Sequence, residues 1–107
     1  MYNILVCDDD KEIVDAIDIY LAKEGYNVIK AYDGLTALKL MKENDIKLII
    51  IDIMMPGIDG LRATLKIRES SGVPIIILSA KSEDSDKIIG LDVGADDYIT
   101  KPFNPLE

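Results

Sequence analysis

The sequence predicts an open parallel α/β sheet with helices on both faces, folded as a single domain. Runs of branched apolar residues without polar alternation recur at Ile4–Cys7, Leu48–Ile51 and Ile75–Leu78, a pattern typical of strands buried on both faces. Stretches of helical periodicity separate these runs, so parallel strands joined by right-handed crossovers are expected. The length of 107 residues, with 49% hydrophobic and 30% charged residues, suits one folded domain, since domains most often span ~100 to 150 residues.

Two weaker strands complete the predicted sheet. Val28–Ala31 and Asp97–Thr100 are short, and each follows a glycine, Gly25 or Gly94. Such segments are bounded by turn signals and carry fewer apolar residues. We therefore expect both of them near the edges of a five-stranded sheet.

Four helices are predicted between the strands. The first begins after a capping Asp10 and ends at Gly25, and the next two follow Asp33-Gly34 and Asp59-Gly60. The fourth, from Ser82 to about Leu91, has a thin apolar stripe and is expected to be the least firmly anchored. The stripes predicted to face the sheet in the first three helices are Ile13, Ala16, Ile17, Tyr20 and Leu21; Leu35, Leu38 and Met41; and Leu61, Leu65 and Arg68, with Thr64 and Ile67 beside them.

Composition and charge exclude several classes of function. Twenty acidic side chains against 12 basic ones give a formal charge of -8, and histidine is absent. We therefore expect no direct contact with nucleic acid and no chemistry that depends on an imidazole. Three observations predict a cytoplasmic domain with no membrane segment: Cys7 is the single cysteine, no leader precedes Tyr2, and every apolar run is short.

Polar residues follow the predicted strands where a ligand site is expected. Asp8 and Asp9 follow the first strand, Asp52 the third, Ser79 the fourth and Lys101 the fifth. Ligands of open α/β sheets bind beyond the carboxyl ends of the strands, at the point where strand order reverses. Converging carboxylates repel one another without a cation, and an all-oxygen ligand set favours Mg²⁺ or Mn²⁺. We expect Mg²⁺.

Simpler interpretations compete for some of these residues. Asp10 is interpreted as a helix cap and Cys7 as a small core residue. From spacing alone, Lys101 is as well explained by a surface lysine as by a site residue. The pairing of Asp8 and Asp9 with Asp52 is harder to explain without a ligand, because the end of a buried strand normally avoids charge.

These residues and their contexts resemble a known family. Four parts of the sequence carry the resemblance: Asp8-Asp9, the segment Ile51-Asp52-Ile53-Met54-Met55-Pro56-Gly57-Ile58-Asp59-Gly60, Ser79-Ala80 and the segment Gly94 to Phe103 (GADDYITKPF). All four are similar to the receiver domains of two-component response regulators. The likeness runs from Asn3 to Glu107. The last segment is similar to the OmpR/PhoB-type branch, whose receivers are joined to a winged-helix DNA-binding domain, and especially to regulators of glycopeptide-antibiotic response.

The resemblance implies a flavodoxin-like strand order of 2-1-3-4-5 and a role for each site residue. Asp52 would accept a phosphoryl group from a sensor histidine kinase, making the chain a phosphoacceptor that promotes its own phosphorylation and slow dephosphorylation rather than a conventional enzyme. Mg²⁺ would be held by Asp8, Asp9, Asp52 and the backbone carbonyl of Met54. Lys101 would pair with Asp52 and then with a phosphoryl oxygen, Ser79 and Tyr98 would form a conformational switch, and Pro102 would be a cis proline.

The resemblance also implies partners. Active receivers of this branch form homodimers through the fourth helix, fifth strand and fifth helix. The residues matching that face are Lys87, Asp92, Asp96, Asp97 and Glu107. Residues 1–107 would then be a receiver that ends at the start of its fifth helix, Asn104–Glu107, without the effector domain. An apolar strip of its sheet would be poorly covered.

Three other functions compete with this one. A haloacid-dehalogenase-like phosphatase also places an aspartate nucleophile after its first strand, but Asp10 and Lys11 do not supply its expected pattern. A flavodoxin-like electron carrier needs phosphate-binding donors where Asp8, Asp9 and Asp10 would repel a phosphate. A pseudo-receiver that only binds partners normally lacks a site residue, and this chain lacks none.

Overall fold

The computed structural model describes residues 2–53, 60–79 and 97–100, and it describes residues 79 and 97–100 by their backbone alone. The predicted α/β class is confirmed. Strands and helices alternate from the amino terminus through the third helix. The elements are β1 (Asn3–Cys7), α1 (Lys11–Lys23), β2 (Asn27–Ala31), α2 (Gly34–Glu43), β3 (Ile46–Asp52), α3 (Gly60–Arg68), β4 (Ile75–Ser79) and β5 (Asp97–Thr100).

The strands form one parallel sheet in the order β2-β1-β3-β4-β5. This is the order implied by the resemblance, and the two weaker strands, β2 and β5, lie at the edges as predicted. The chain reverses direction across the sheet between β1 and β3, since β2 lies on one side of β1 and β3 on the other. The predicted ligand position is therefore above the β1–β3 pair.

Alternating strand residues build a core on each face of the sheet. On one face Leu5, Ile49 and Ile77 belong to a cluster completed by α2 and α3. On the other face Ile4 and Val6 pack with Val14 and Ile17 of α1. On this α1 face Leu48, Ile50 and Ile76 are only partly buried, so the strands are not buried equally on both sides.

Local signals at the helix ends behave as predicted. The Asp10 carboxylate accepts a hydrogen bond from the Glu12 N–H at 3.0 Å, and Asp33 accepts one from the Thr36 N–H at 2.8 Å. Each satisfies a donor of the first helical turn. Helix α1 ends before Gly25, whose φ of 90° is readily adopted only by glycine.

The predicted buried faces of the helices are partly wrong. Leu35 is 64% exposed and Leu65 is 54% exposed, whereas Ala37 and Ala63 are fully buried. In α1, Ala16 is exposed, contrary to the prediction, and Val14, which lies outside the predicted stripe, is buried. In α2 and α3 the physical reason is that small residues let the helix approach the sheet closely, so the large leucines fall on the flanks.

Some predicted features lie outside the described residues. They are the fourth helix from Ser82 to about Leu91 and the start of a fifth helix at Asn104–Glu107. Among the described helices, none is long and apolar enough to cross a membrane.

Candidate functional site

The register of β1 against β3 brings the two strand-end aspartates together. Cys7 is paired with Ile51 in the parallel ladder. The next residues, Asp8 and Asp52, therefore emerge side by side at the carboxyl edge of the sheet. Asp8 is completely buried and Asp52 is 3% exposed, which is unusual for carboxylates.

Asp9 completes a cluster of three carboxylates. One oxygen from each of Asp8, Asp9 and Asp52 lies within 4.8 Å of the others, and Asp9 is exposed to solvent. At this separation two full negative charges repel by on the order of 3 kcal/mol with the effective dielectric of a protein surface. A divalent cation would offset that repulsion. The donor set is made of oxygens and is exposed to solvent at Asp9, so it fits Mg²⁺ or Mn²⁺.

Hydrogen bonds hold the first part of this cluster in place. The Asp10 N–H donates to Oδ1 of Asp8 at 2.9 Å, and the Asp8 N–H donates to the carbonyl of Ala31 at 3.2 Å. Asp10 itself caps α1 and is not a member of the carboxylate cluster. The predicted role of Asp10 as a helix cap is thus confirmed, and the metal-binding roles of Asp8 and Asp9 stay predictions.

The backbone after Asp52 is tied to two neighbouring elements. The Ile53 N–H donates to the Leu78 carbonyl at 2.9 Å, and the Ile53 carbonyl accepts from the Gly60 N–H at 3.2 Å. A Cβ at Gly60 would lie 1.9 Å from the carbonyl oxygen of Asp52. From the sequence, Gly60 is identified only as a helix start, and its contact with Asp52 is missed. The signal that could have found it is a glycine at the start of the helix that follows a strand-end aspartate.

The neighbouring thiol responds to the negative potential of the site. Burial raises the pKa of Cys7 to about 12, with further increases from the charges of Asp33, Asp8, Asp52 and Asp9. The Cys7 thiol donates to the Asp33 carbonyl at 3.3 Å. Cys7 is therefore a protonated core residue, as the sequence indicated.

A cation and an aromatic ring lie on the β2 side of this edge. Nζ of Lys11 is 5.4 Å from the centroid of the Tyr32 ring, within the range of a cation–π contact. Lys11 begins α1 and Tyr32 follows β2, so the contact joins two elements that meet at this edge of the sheet. No pattern in the sequence singles out this pair.

Other predicted site residues have no described side chain. For Ser79, Asp97 and Tyr98 only the backbone is described, with Ser79 paired with Thr100 and Tyr98 with Ile77. The roles of these side chains stay predictions. The predicted residues outside the described part of the chain are Met54, Lys87, Asp92, Asp96, Lys101, Pro102 and Glu107.

The fold and the acidic cluster together define the class. A parallel sheet in the order β2-β1-β3-β4-β5 with aspartates at the β1–β3 switch point is the receiver fold. The chain belongs to the response regulator receiver domain family, whose model matches residues 4–107. It is a receiver domain and not a phosphatase of the haloacid dehalogenase family or a flavodoxin.

Curated relatives agree with this assignment. The transcriptional regulatory protein YvrH of Bacillus subtilis (strain 168) is 52% identical over 106 residues, which cover 98% of this chain and 45% of YvrH. The regulatory protein VanR of Enterococcus faecium is 50% identical over 105 residues, which cover 98% of this chain and 46% of VanR. The resemblance to OmpR/PhoB-type regulators is thereby confirmed. The chain spans somewhat less than half the length of these relatives.

Solved receiver structures share the fold. The receiver domain of the Francisella response regulator 1452 is 40% identical and superposes with a TM-score of 0.92, covering 98% of this chain and 88% of that one. A Burkholderia pseudomallei response regulator, solved with a phosphorylated aspartic acid, a calcium ion and citrate, is 25% identical with a TM-score of 0.91, covering 99% of this chain and 63% of that one.

Proposed function

We propose that Asp52 accepts a phosphoryl group from the phosphohistidine of a sensor histidine kinase in a Mg²⁺-dependent reaction. The observation that carries this proposal is the burial of the Asp52 carboxylate within 4.8 Å of the Asp8 and Asp9 carboxylates. A buried anion in such a cluster is costly unless a cation joins it. The phosphorylated aspartic acid and the calcium ion of the Burkholderia regulator support the same chemistry for this chain.

In the proposed transfer, one oxygen of the Asp52 carboxylate forms a bond to phosphorus while the bond from phosphorus to the imidazole nitrogen breaks. The imidazole leaves with that electron pair and takes up a proton, and the product is an aspartyl phosphate. Asp8, Asp9, Asp52 and the Met54 carbonyl would hold Mg²⁺. When bound, the ion supplies positive charge that offsets the negative charge of the phosphoryl oxygens and the nucleophile.

The remaining residues have roles that we carry over from the resemblance. Lys101 would pair with a phosphoryl oxygen, and Pro102, as a cis proline, would position it. The Ser79 hydroxyl would bind another phosphoryl oxygen, and Tyr98 would turn into the space that Ser79 vacates. The binding energy of the phosphoryl group would in this way shift a two-state equilibrium.

The consequence of that switch belongs to a longer protein. Because the chain spans less than half of its relatives, we propose that residues 1–107 are the receiver of a cytoplasmic transcription regulator with a C-terminal winged-helix domain. Its activated form would be a homodimer joined through the face that contains Lys87, Asp92, Asp96, Asp97 and Glu107. A fifth helix in the full protein would cover the partly buried strip of Leu48, Ile50 and Ile76. The receiver itself would not contact DNA.

Phosphorylation by a small donor tests the proposal directly. The domain is incubated with acetyl phosphate, with and without Mg²⁺, and intact mass is recorded over time. We expect one phosphoryl addition that requires Mg²⁺ and is absent from Asp52→Asn. Asp45→Asn is the matched control, because Asp45 is an exposed aspartate at the opposite edge of the sheet and its loss should leave phosphorylation unchanged.

The result that overturns the proposal is a wild-type domain that binds Mg²⁺ and takes no phosphoryl group from acetyl phosphate. That outcome would favour the pseudo-receiver, a domain that only binds partners. Addition that persists in Asp52→Asn would move the acceptor to another residue. Either result would leave the family assignment intact.

A further inference from the structure

The close packing of Gly60 on Asp52 is not explained by the formation of α3 alone. A Cβ at Gly60 would lie 1.9 Å from the Asp52 carbonyl oxygen, 2.7 Å from its carbonyl carbon and 2.9 Å from Cα of Ile53. Glycine is a poor helix former, yet here it begins a helix. The first turn of α3 therefore rests on the peptide group of the proposed phosphoacceptor.

This peptide group is held from two further directions. The Ile53 N–H is bound to β4 through the Leu78 carbonyl, and the Ile53 carbonyl is bound to the N–H of Gly60. With Gly60 against the Asp52 carbonyl, neither the strand end nor the helix start can shift without disturbing the other. The direction in which the Asp52 side chain leaves the backbone is thereby restricted.

A buried hydroxyl stabilises the other side of the contact. Oγ1 of Thr64 donates to the Gly60 carbonyl at 2.7 Å, and Thr64 is fully buried. Threonine is mostly an exposed residue, whereas here its hydroxyl is bonded within the core to the first residue of its own helix, four positions earlier. Thr64 therefore holds Gly60 in position from within α3.

We infer that Gly60, supported by Thr64, is a positioning residue that sets the Asp52 carboxylate at the geometry needed for metal binding and phosphoryl transfer. The inference rests on the proposed function. An added methyl at Gly60 must move about 1.5 Å from the Asp52 carbonyl to reach ordinary van der Waals contact at 3.4 Å. Misplacement of a reacting group by ~1 Å can cost about 100-fold in rate.

The test compares Gly60→Ala with Gly72→Ala. A Cβ at Gly72 would meet nothing within 4 Å, so the control adds the same methyl without the contact. Two quantities are measured: the affinity for Mn²⁺ alone, by its paramagnetic resonance signal, and the maximal phosphorylation rate at saturating Mg²⁺ and acetyl phosphate. For Gly60→Ala we expect that rate to fall ~10- to 100-fold, together with weaker Mn²⁺ binding, and no change in either for Gly72→Ala.

A merely structural role would give a different pattern. Gly60→Ala would then melt at a lower temperature, while its folded fraction kept the wild-type affinity for Mn²⁺ and the wild-type maximal rate. That pattern would overturn the inference. A wild-type domain that is not phosphorylated would instead refute the proposed function, so the two failures are distinguishable.

A second pair of variants keeps the inference testable if Gly60→Ala does not fold. Thr64→Val removes the hydroxyl and keeps the shape, and Thr64→Ser keeps the hydroxyl. We expect Thr64→Val to lower the maximal phosphorylation rate on the order of threefold, and Thr64→Ser to retain the wild-type rate. Equal rates for Thr64→Val and the wild type would contradict the inference.

Discussion

Polar groups are arranged in opposite ways at the two ends of the strands, which we call the amino edge and the carboxyl edge of the sheet. At the amino edge, the Asn27 side chain donates to Asn3 at 2.9 Å, Asn3 donates to the Asp45 carbonyl at 3.1 Å, and Lys47 pairs with Asp45 at 3.3 Å. All of these bonds are exposed or between complementary groups. At the carboxyl edge, the buried Asp8 and Asp52 lie beside a third carboxylate.

This difference separates residues that serve the fold from residues that serve a ligand. Exposed pairs of complementary polar groups contribute little to the stability of the fold, so they tolerate replacement. Buried like charges oppose folding unless a counter-charge or a ligand offsets them, so a cluster of them indicates a binding site. We therefore expect changes at the carboxyl edge to alter function and metal response strongly, and changes at the amino edge to alter neither.

The largest effects on stability are expected when the Asp52 charge is removed and when Mg²⁺ is added. Without a metal ion, Asp52→Asn should raise the free energy of unfolding by about 1 to 3 kcal/mol, because it removes one charge from the cluster. Mg²⁺ at 100 times its dissociation constant should stabilise the wild type by about 2.7 kcal/mol and the variant much less. Urea unfolding with Mg²⁺ and with EDTA measures both differences.

Asp45→Asn again serves as the control for this comparison. It should respond to Mg²⁺ as the wild type does, since its carboxylate lies at the other edge. A wild-type domain with identical unfolding curves in Mg²⁺ and EDTA would argue against a metal site in the acidic cluster.

A smaller effect is expected at the cap of α2. Hydrogen bonds from the backbone and hydroxyl of Thr36 lower the pKa of Asp33 below its usual 3.8. A carboxylate with a lowered pKa stabilises the folded state at pH values above 3.8, and this contribution is lost as pH falls through the lowered pKa. Asp33→Asn keeps a capping oxygen but loses the charge, so it should lower the free energy of unfolding by about 0.5 kcal/mol at pH 7.

The pH dependence distinguishes charge from capping geometry. The stability difference between the wild type and Asp33→Asn, measured by urea unfolding, should be constant from about pH 7 to about pH 5 and narrow only below about pH 4. A difference that is unchanged in strongly acidic solution would mean that the charge of Asp33 contributes nothing.

The smallest effect is expected for Lys47→Ala. The Lys47 side chain is 51% exposed and that of Asp45 is 79% exposed, and exposed ion pairs contribute about 0.2 to 1 kcal/mol, less in high salt. Thermal unfolding in low and high salt should show a change near the lower end of this range. A loss of several kcal/mol would contradict the contrast between the edges.

Much of the fold could be predicted because its signals are local. Branched apolar runs mark the buried strands, and Asp10, Asp33 and Gly25 mark helix ends through bonds to nearby backbone groups or a left-handed backbone. The convergence of Asp8 and Asp52 followed from a general property of parallel sheets. For the buried strands and the helix ends, the residue type and its immediate neighbours were sufficient.

Features that depend on the distance between elements could not be predicted in the same way. Hydropathy favoured Leu35 and Leu65 over Ala37 and Ala63, but the closest approach of helix to sheet requires the smaller side chains. The contact of Gly60 with Asp52 depends on how far α3 lies from the end of β3. Periodicity carries no information about such distances.

Locating the phosphoryl group tests the central claim most directly. The domain is phosphorylated with acetyl phosphate and Mg²⁺, the acyl phosphate is reduced with borohydride to homoserine, and the modified residue is identified by peptide sequencing in a mass spectrometer. We predict homoserine at position 52, in an amount that falls to background when EDTA replaces Mg²⁺. Modification at another aspartate, or equal modification in EDTA, would contradict the proposed role of Asp52.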